Sequence, residues 1–178
     1  LISDAYLNSD GTSAPYIEED ALAAYADGLI ALSGGLSGPL NAALCDNGTT
    51  LARDRAEWLQ RLFGDRFYIE LQRHGWAAED YCEPGLLNIA DELHIPLVAS
   101  NDCYFPQPDM YEAHDALLCI ANGRYISEDD RRRVTQQHYL KSGDEMVELF
   151  TDIPEAVDNT LQIAQRCAFL LEDIDPIL

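Results

Sequence analysis

The hydrophobic and polar positions along the chain alternate between two rhythms. Short continuous apolar runs are separated by longer stretches with apolar residues at helical spacing. The first helical stretch spans about 17–26, with Leu22, Tyr25 and Ala26 on one face and Gly28 as a stop. Leu29-Ile30-Ala31-Leu32 reads as a short strand buried on both faces and ends in Ser33-Gly34-Gly35. Pro39–Leu44 and Leu51–Phe63 read as helices, the first with Pro39 in its opening turn, the second with Trp58, Leu59, Leu62 and Phe63 as its stripe. Phe67–Leu71, rich in aromatic and β-branched residues, is a second strand. A helix over Pro84–Leu93 leads to a third strand, Ile95–Ala99. Pro108 opens a helix that ends near Ala121, with Gly123 as its cap. Ser142 and Glu145 form a capping box before Met146, Val147, Leu149 and Phe150. A final helix runs from Pro154 to about Phe169, and Glu172–Leu178 has the look of a linker.

Strand–helix–strand repeated at roughly 25–40 residues per step implies right-handed crossovers and a parallel sheet. Three strands are too few for a closed barrel of about eight. The pattern therefore describes either a small open α/β domain or part of something larger. A chain that opens at Leu1 rather than Met favours the second.

Charge narrows the function classes. With 11 Lys and Arg against 32 Asp and Glu, the formal net charge is -21, which repels nucleic-acid phosphate. Arg131-Arg132-Arg133 follows Glu128-Asp129-Asp130, so this basic cluster is expected to be self-paired and solvated. No apolar run is long enough to span a membrane and no signal peptide is readable, which makes a cytoplasmic location the expectation. The five cysteines, Cys45, Cys82, Cys103, Cys119 and Cys167, are widely spaced and odd in number. They suggest reduced thiols rather than a disulfide framework or a zinc ribbon.

In parallel α/β folds the functional groups gather at the carboxyl ends of the strands. Those ends carry Ser33-Gly34-Gly35, then Glu70, Gln72 and His74, then Asn101, Asp102 and Cys103. Glu70, His74, Asp102 and Cys103 are all competent metal ligands. The bland alternative has Glu70 and Asp102 capping loops and His74 on the surface. The Gly34–Gly38 stretch fits no phosphate-binding fingerprint and reads better as a tight turn. His114, on a mostly apolar helix, reads as a satisfied structural residue; His94 and His138 carry no assigned role. A Cys103 nucleophile paired with His74 has little support.

Several segments together resemble the PHP region of bacterial DNA polymerase III α subunits, with phrasing nearest to proteobacterial versions. They are Gly28–Gly38, Phe67–Gly75 (FYIELQRHG), Ile95–Asp102 (IPLVASND), Glu112–Ile120, Tyr139–Ser142 with Glu145-Met146, and Pro154–Thr160 running to Cys167. The resemblance covers essentially the whole chain in order and spacing. It implies an α/β fold: the later part of a distorted (β/α)7 PHP (TIM-like) barrel with parallel strands, followed by C-terminal helices leading toward a polymerase core. Residues 1–125 would be the later part of the PHP domain and 126–178 the helical extension and linker.

The resemblance further implies that this chain is part of a DNA-directed DNA polymerase serving replication, without the nucleotidyl-transfer site and so with no catalytic residue of its own. The family's metal pattern departs at two positions. Gly35 stands where metal-competent members carry a Cys, and Tyr104 where they carry a His. Asp102 matches a ligand, and Glu70 lies at the barrel rim. A degraded metal site is therefore expected, with no tightly bound cofactor, zinc or manganese only if the site is retained, and magnesium belonging to the parent polymerase. The implied partners are a proofreading exonuclease subunit, other polymerase III holoenzyme subunits, and DNA through regions outside this chain, but no membrane. The rival reading is a PHP-type metal-dependent phosphoesterase or 3′-5′ exonuclease. A third is an unrelated open α/β domain with a small-molecule site.

Overall fold

A computed structural model describes residues 1–9, 11 and 14–170 of the chain. The chain begins with helix α1 (Ile2–Leu7) and helix α2 (Glu19–Ala24), then strand β1 (Ala31–Leu32), α3 (Pro39–Cys45), α4 (Thr49–Phe63), β2 (Phe67–Leu71), α5 (Ala77–Leu93) and β3 (Leu97–Ala99). Helices α6 (Tyr111–Asn122), α7 (Gly143–Leu149) and α8 (Pro154–Arg166) complete it. The α/β class and the parallel sheet stand as the sequence predicts.

The strands lie in the order β1-β2-β3, all parallel. Ala31 pairs with Phe67 and Leu32 with Tyr68; Ile69, Glu70 and Leu71 pair with Leu97, Val98 and Ala99. Central β2 is the most deeply covered strand: Phe67, Tyr68, Ile69 and Leu71 are all buried. This is what an uninterrupted apolar run in a two-sided sheet requires. Leu40, Ala52, Ala56, Phe63, Leu86 and Ile89 pack against it from the helices. Phe150, Ile153 and Ala156 from the last two helices join the same core.

Several boundaries differ from expectation for identifiable reasons. β1 is two residues long rather than four, and Leu29 and Leu32 are 40% and 42% exposed. Among the described residues it is an edge strand hydrogen-bonded to β2 alone, so its apolar run is not covered on both sides. Helix α5 begins at Ala77, not Pro84. Pro84 lacks an N–H and normally breaks a helix interior. Here Pro84 and Asp80 both lie on the exposed face, where water can satisfy the freed Asp80 carbonyl. The third strand starts at Leu97, and the Pro108 segment is a single 3-10 turn before α6. Gly123 caps α6 with φ 62°, the left-handed conformation expected there. The linker assigned to Glu172–Leu178 lies outside the described residues.

Candidate functional site at the strand ends

The carboxyl ends of β1, β2 and β3 open into one cleft of about 500 Å3. Gly35, Glu70, Asp102 and Tyr104 all line it, together with Gln72, His74 and Glu79. The strand-end rule thus brings Glu70, His74 and Asp102 together. Cys103 does not join them: it is exposed, its thiol turned toward the Asn101 and Tyr139 carbonyls. The Cys103–His74 pairing is not formed.

Backbone geometry builds the first wall. Gly34 takes φ 80° at the end of β1, which glycine adopts without strain. The turn is closed so tightly that a Cβ at Gly38 would meet the Ser33 carbonyl oxygen at 2.3 Å. Asn41, buried in α3, donates through Nδ2 to the Gly35 carbonyl at 3.0 Å and the Gly34 carbonyl at 3.3 Å. The glycine stretch is therefore a packed turn, as its sequence suggested.

Glu70 is held on every side. Its Oε2 accepts from the Gly34 N–H at 3.1 Å, and its Oε1 accepts from the Ser100 hydroxyl and from Gln72 Nε2. Gln72 Nε2 lies 3.0 Å from Ser100 Oγ, 3.3 Å from Glu70 Oε1 and 3.5 Å from Asp102 Oδ1. A carboxamide donor thus sits among oxygen atoms that a cation would otherwise gather. The other end of the same amide fills the space beside Gly35, where an added Cβ would lie 2.1 Å from Gln72 Oε1.

His74 is the corrected residue of this site. It is 1% exposed, not on the surface. Its Nδ1 lies 2.7 Å from Glu79 Oε1, and its Nε2 accepts from the Asp102 N–H at 3.0 Å. The two contacts assign the ring proton to Nδ1. Both nitrogens are engaged. Glu79 also accepts from the His74 N–H at 2.6 Å and the Trp76 N–H at 3.2 Å. Burial alone would push the Glu79 carboxyl up, but the hydrogen bonds from His74 and Trp76 outweigh it and hold it below the usual value.

His138 was assigned no role from sequence, yet its ring stacks on His74 with centroids 4.1 Å apart. Its Nδ1 accepts from the Thr135 N–H at 3.2 Å, and the Thr135 hydroxyl donates to the His74 carbonyl at 2.6 Å. Burial first, then the neighbouring His74, hold the His138 pKa below the ordinary histidine value. Tyr104 leans against both His138 and His114, at 5.4 Å and 5.5 Å between centroids. His114 is not the satisfied residue its helix suggested, because its Nδ1 is buried with no hydrogen-bond partner.

Two further arginine arrangements escaped the sequence. The Arg131 side chain is buried rather than solvated: it grips Asp115 of α6 through both Nη atoms at 2.5 and 2.6 Å and donates through Nε to the Glu128 carbonyl at 3.1 Å. Arg133, by contrast, pairs with Asp129 of the acidic run at 3.7 Å, as expected. Arg132 and Arg133 line the cleft. Arg73, just past β2, forks onto Glu83 at 2.6 and 2.9 Å and onto Asp152 at 2.7 and 2.8 Å. It also donates to the Leu149 carbonyl and lies over the Phe150 ring at 4.6 Å. The signal for Glu79 was present as an acidic residue at the third position of a helix, but it is invisible when the helix is started at Pro84.

Among the described residues, no group of three or more His, Cys, Asp and Glu side chains is arranged to hold a metal ion. Glu70 already accepts from Gly34, Ser100 and Gln72, while His74 donates from Nδ1 to Glu79 and spends its Nε2 lone pair on the Asp102 N–H. This donor set does not fit a metal cluster. Nor is any described helix long and apolar enough to cross a membrane.

The mixed α/β architecture with a short three-stranded parallel sheet is in keeping with a partial PHP (TIM-like) domain, and the PHP domain family matches residues 1–74. Over its whole length the chain is 49% identical to DNA polymerase III subunit alpha of Caulobacter vibrioides, covering 16% of that protein. It is 38% identical over its whole length to the subunit alpha of Rickettsia bellii, covering 15% of it. Over 94% of the chain it is 40% identical to that of Vibrio cholerae, covering 14%. Over its whole length the chain is thus similar to part of DNA polymerase III α subunits, and it spans about one-sixth of the length of its Caulobacter relative.

Proposed function

We propose that this chain is a scaffold and interaction region of a DNA-directed DNA polymerase that serves replication in the cytoplasm. The observation that carries the reading is the alignment of all 178 residues with a DNA polymerase III subunit alpha at 49% identity. Nucleotidyl transfer and its magnesium belong to regions outside this chain, as does contact with DNA. An acidic chain of net charge -21 is suited to that division, because it repels phosphate.

Within the scaffold, Glu70 and Asp102 are remnants of a metal site, and Gly35 and Tyr104 are its lost ligand positions. The reading is supported by the Gln72 amide, which supplies hydrogen-bond donors where a cation would supply charge. Glycine at 35 offers no donor side chain, and a tyrosine phenol at neutral pH is a poor replacement for imidazole. The domain then serves as a platform for a separate proofreading exonuclease subunit and for other subunits of the holoenzyme.

Two measurements on the full-length protein test this. Metal analysis after dialysis is expected to find no stoichiometric zinc or manganese; finding either, with metal-dependent exonuclease activity, would overturn the degraded-site reading. Titration with the proofreading exonuclease is expected to show saturable binding, and none would remove the platform role.

A further inference from the structure

The thiols of Cys45 and Cys82 lie 3.2 Å apart, across the contact between α3 and α5. Cys45 ends α3 and is exposed, whereas Cys82 is 1% exposed within α5. From this pair we infer a redox modification site, at which Cys45 and Cys82 are joined by a disulfide when a low-molecular-weight disulfide reaches the exposed thiol.

Three observations support it. The sulfur atoms already touch, so closing the bond to its normal length of about 2.05 Å asks for a shift on the order of 1 Å. The two helices are also fixed close together independently of the cysteines, because Gly85 of α5 lies against Leu44, where an added Cβ would sit 2.9 Å from Leu44 Cδ2. Finally, the two thiols are differently placed. Cys45 faces solvent and can meet an oxidant, while the Cys82 thiol points inward toward the Asn41 carbonyl at 3.7 Å. Burial, and then Cys45 beside it, push the Cys82 thiol up to about 12. Cys45 is therefore the attacking group and Cys82 the resolving one.

The exchange balances without further reagents. Cys45 loses its proton to solvent, and its thiolate attacks one sulfur of glutathione disulfide. The first glutathione leaves as thiolate, and a mixed disulfide remains on Cys45. Cys82 then loses its proton and attacks the Cys45 sulfur, releasing the second glutathione. Two protein thiols are oxidised to one disulfide, and one glutathione disulfide is reduced to two thiols. The bond ties the helix carrying Asn41, which holds the Gly34 and Gly35 carbonyls, to the helix carrying Glu79, which holds His74. Oxidation thus staples two walls of the strand-end cleft. This inference does not depend on the proposed function.

The test uses the full-length protein carrying this chain. It is incubated with glutathione disulfide, its remaining thiols are alkylated, and the unreduced digest is mapped by mass spectrometry. The expected product is a linked peptide containing Cys45 and Cys82 that disappears on reduction. Cys45→Ser, a change at an exposed position, is expected to abolish the link while leaving the circular dichroism spectrum unchanged. Cys82→Ser is expected to arrest the reaction with glutathione retained on Cys45. A wild-type protein that holds glutathione on Cys45 with Cys82 still free, or that leaves both thiols unreacted, would overturn the inference, as would a Cys82 cross-link that persists in Cys45→Ser.

Discussion

The imidazole of His138 lies flat against that of His74, with the two planes only 16° from parallel. Stacking two such rings inside the protein is favourable only while they are not both charged. The Thr135 N–H donates to His138 Nδ1, and Glu79 and Asp102 occupy the two nitrogens of His74. Three of the four ring nitrogens of the pair are therefore committed to hydrogen bonds.

A pH dependence follows from the depressed His138 pKa. The unfolded chain takes up a proton on this residue below about 6.5. Folded His138 resists it to a lower pH, because burial and then His74 oppose the charge, although the Thr135 backbone, Glu79 and Asp102 pull the other way. The contribution is thus fully present above ~6.5 and is lost as pH falls from there through the folded pKa. Urea unfolding at neutral and mildly acidic pH checks this: wild type should lose more stability on acidification than His138→Gln. Equal losses would show that His138 does not titrate differently on folding.

Glu79 accepts hydrogen bonds from the His74 ring, the His74 N–H and the Trp76 N–H. Glu79→Ala would leave these donors unpaired in a dry environment and should cost about 3 kcal/mol. Chemical denaturation would read the loss directly. Because the folded carboxyl lies below its ordinary value, its stabilisation is present above about 4.3 and fades as pH falls through the folded pKa.

These two residues also show where the sequence was legible. The apolar runs around Phe67–Leu71 and Leu97–Ala99 announce buried parallel strands, and their polar ends announce a site. Glu70 and Asp102 are readable because strand ends have a fixed address. His138 is not, because it reaches His74 from a loop 64 residues further on, and no local periodicity encodes such a contact. Arg131 misleads for the same reason. Its nearest charges in sequence are Glu128, Asp129 and Asp130, but its bidentate partner is Asp115 on a neighbouring helix. Pro84 conceals the first two turns of α5, since its usual meaning is a helix start.

Arg73 should not tolerate lysine. Its planar fork serves Glu83, Asp152 and the Leu149 carbonyl at once, and an ammonium group cannot reproduce that geometry. Arg73→Lys should cost about 2 kcal/mol. Asp152, whose side chain is 61% exposed, should matter less, and Asp152→Asn should cost under about 1 kcal/mol. Thermal unfolding of the two variants side by side would check the order.

Gly38 tests the turn. Its backbone, with φ -68°, is open to any residue, so the demand is steric. An alanine Cβ would meet the Ser33 and Gly35 carbonyl oxygens at 2.3 and 2.9 Å, and neither is a movable side-chain end. Gly38→Ala should therefore lower stability by about 2 kcal/mol. Gly143→Ala, where a Cβ meets nothing within 4 Å, is the control and should leave the unfolding midpoint nearly unchanged.

The Arg73 clamp also sets a timetable for synthesis. Arg73 and Asp152 stand 79 positions apart, and at roughly 5–20 residues per second a ribosome needs about 4–16 seconds to make the second after the first. Through that interval Phe150, Ile153 and Ala156 do not yet cover the sheet, and Asn159 has not yet reached the Leu97 carbonyl of β3. The nascent chain therefore presents an uncapped strand edge beside an unfinished core. A pause between Leu97 and Asp152 would lengthen that exposure.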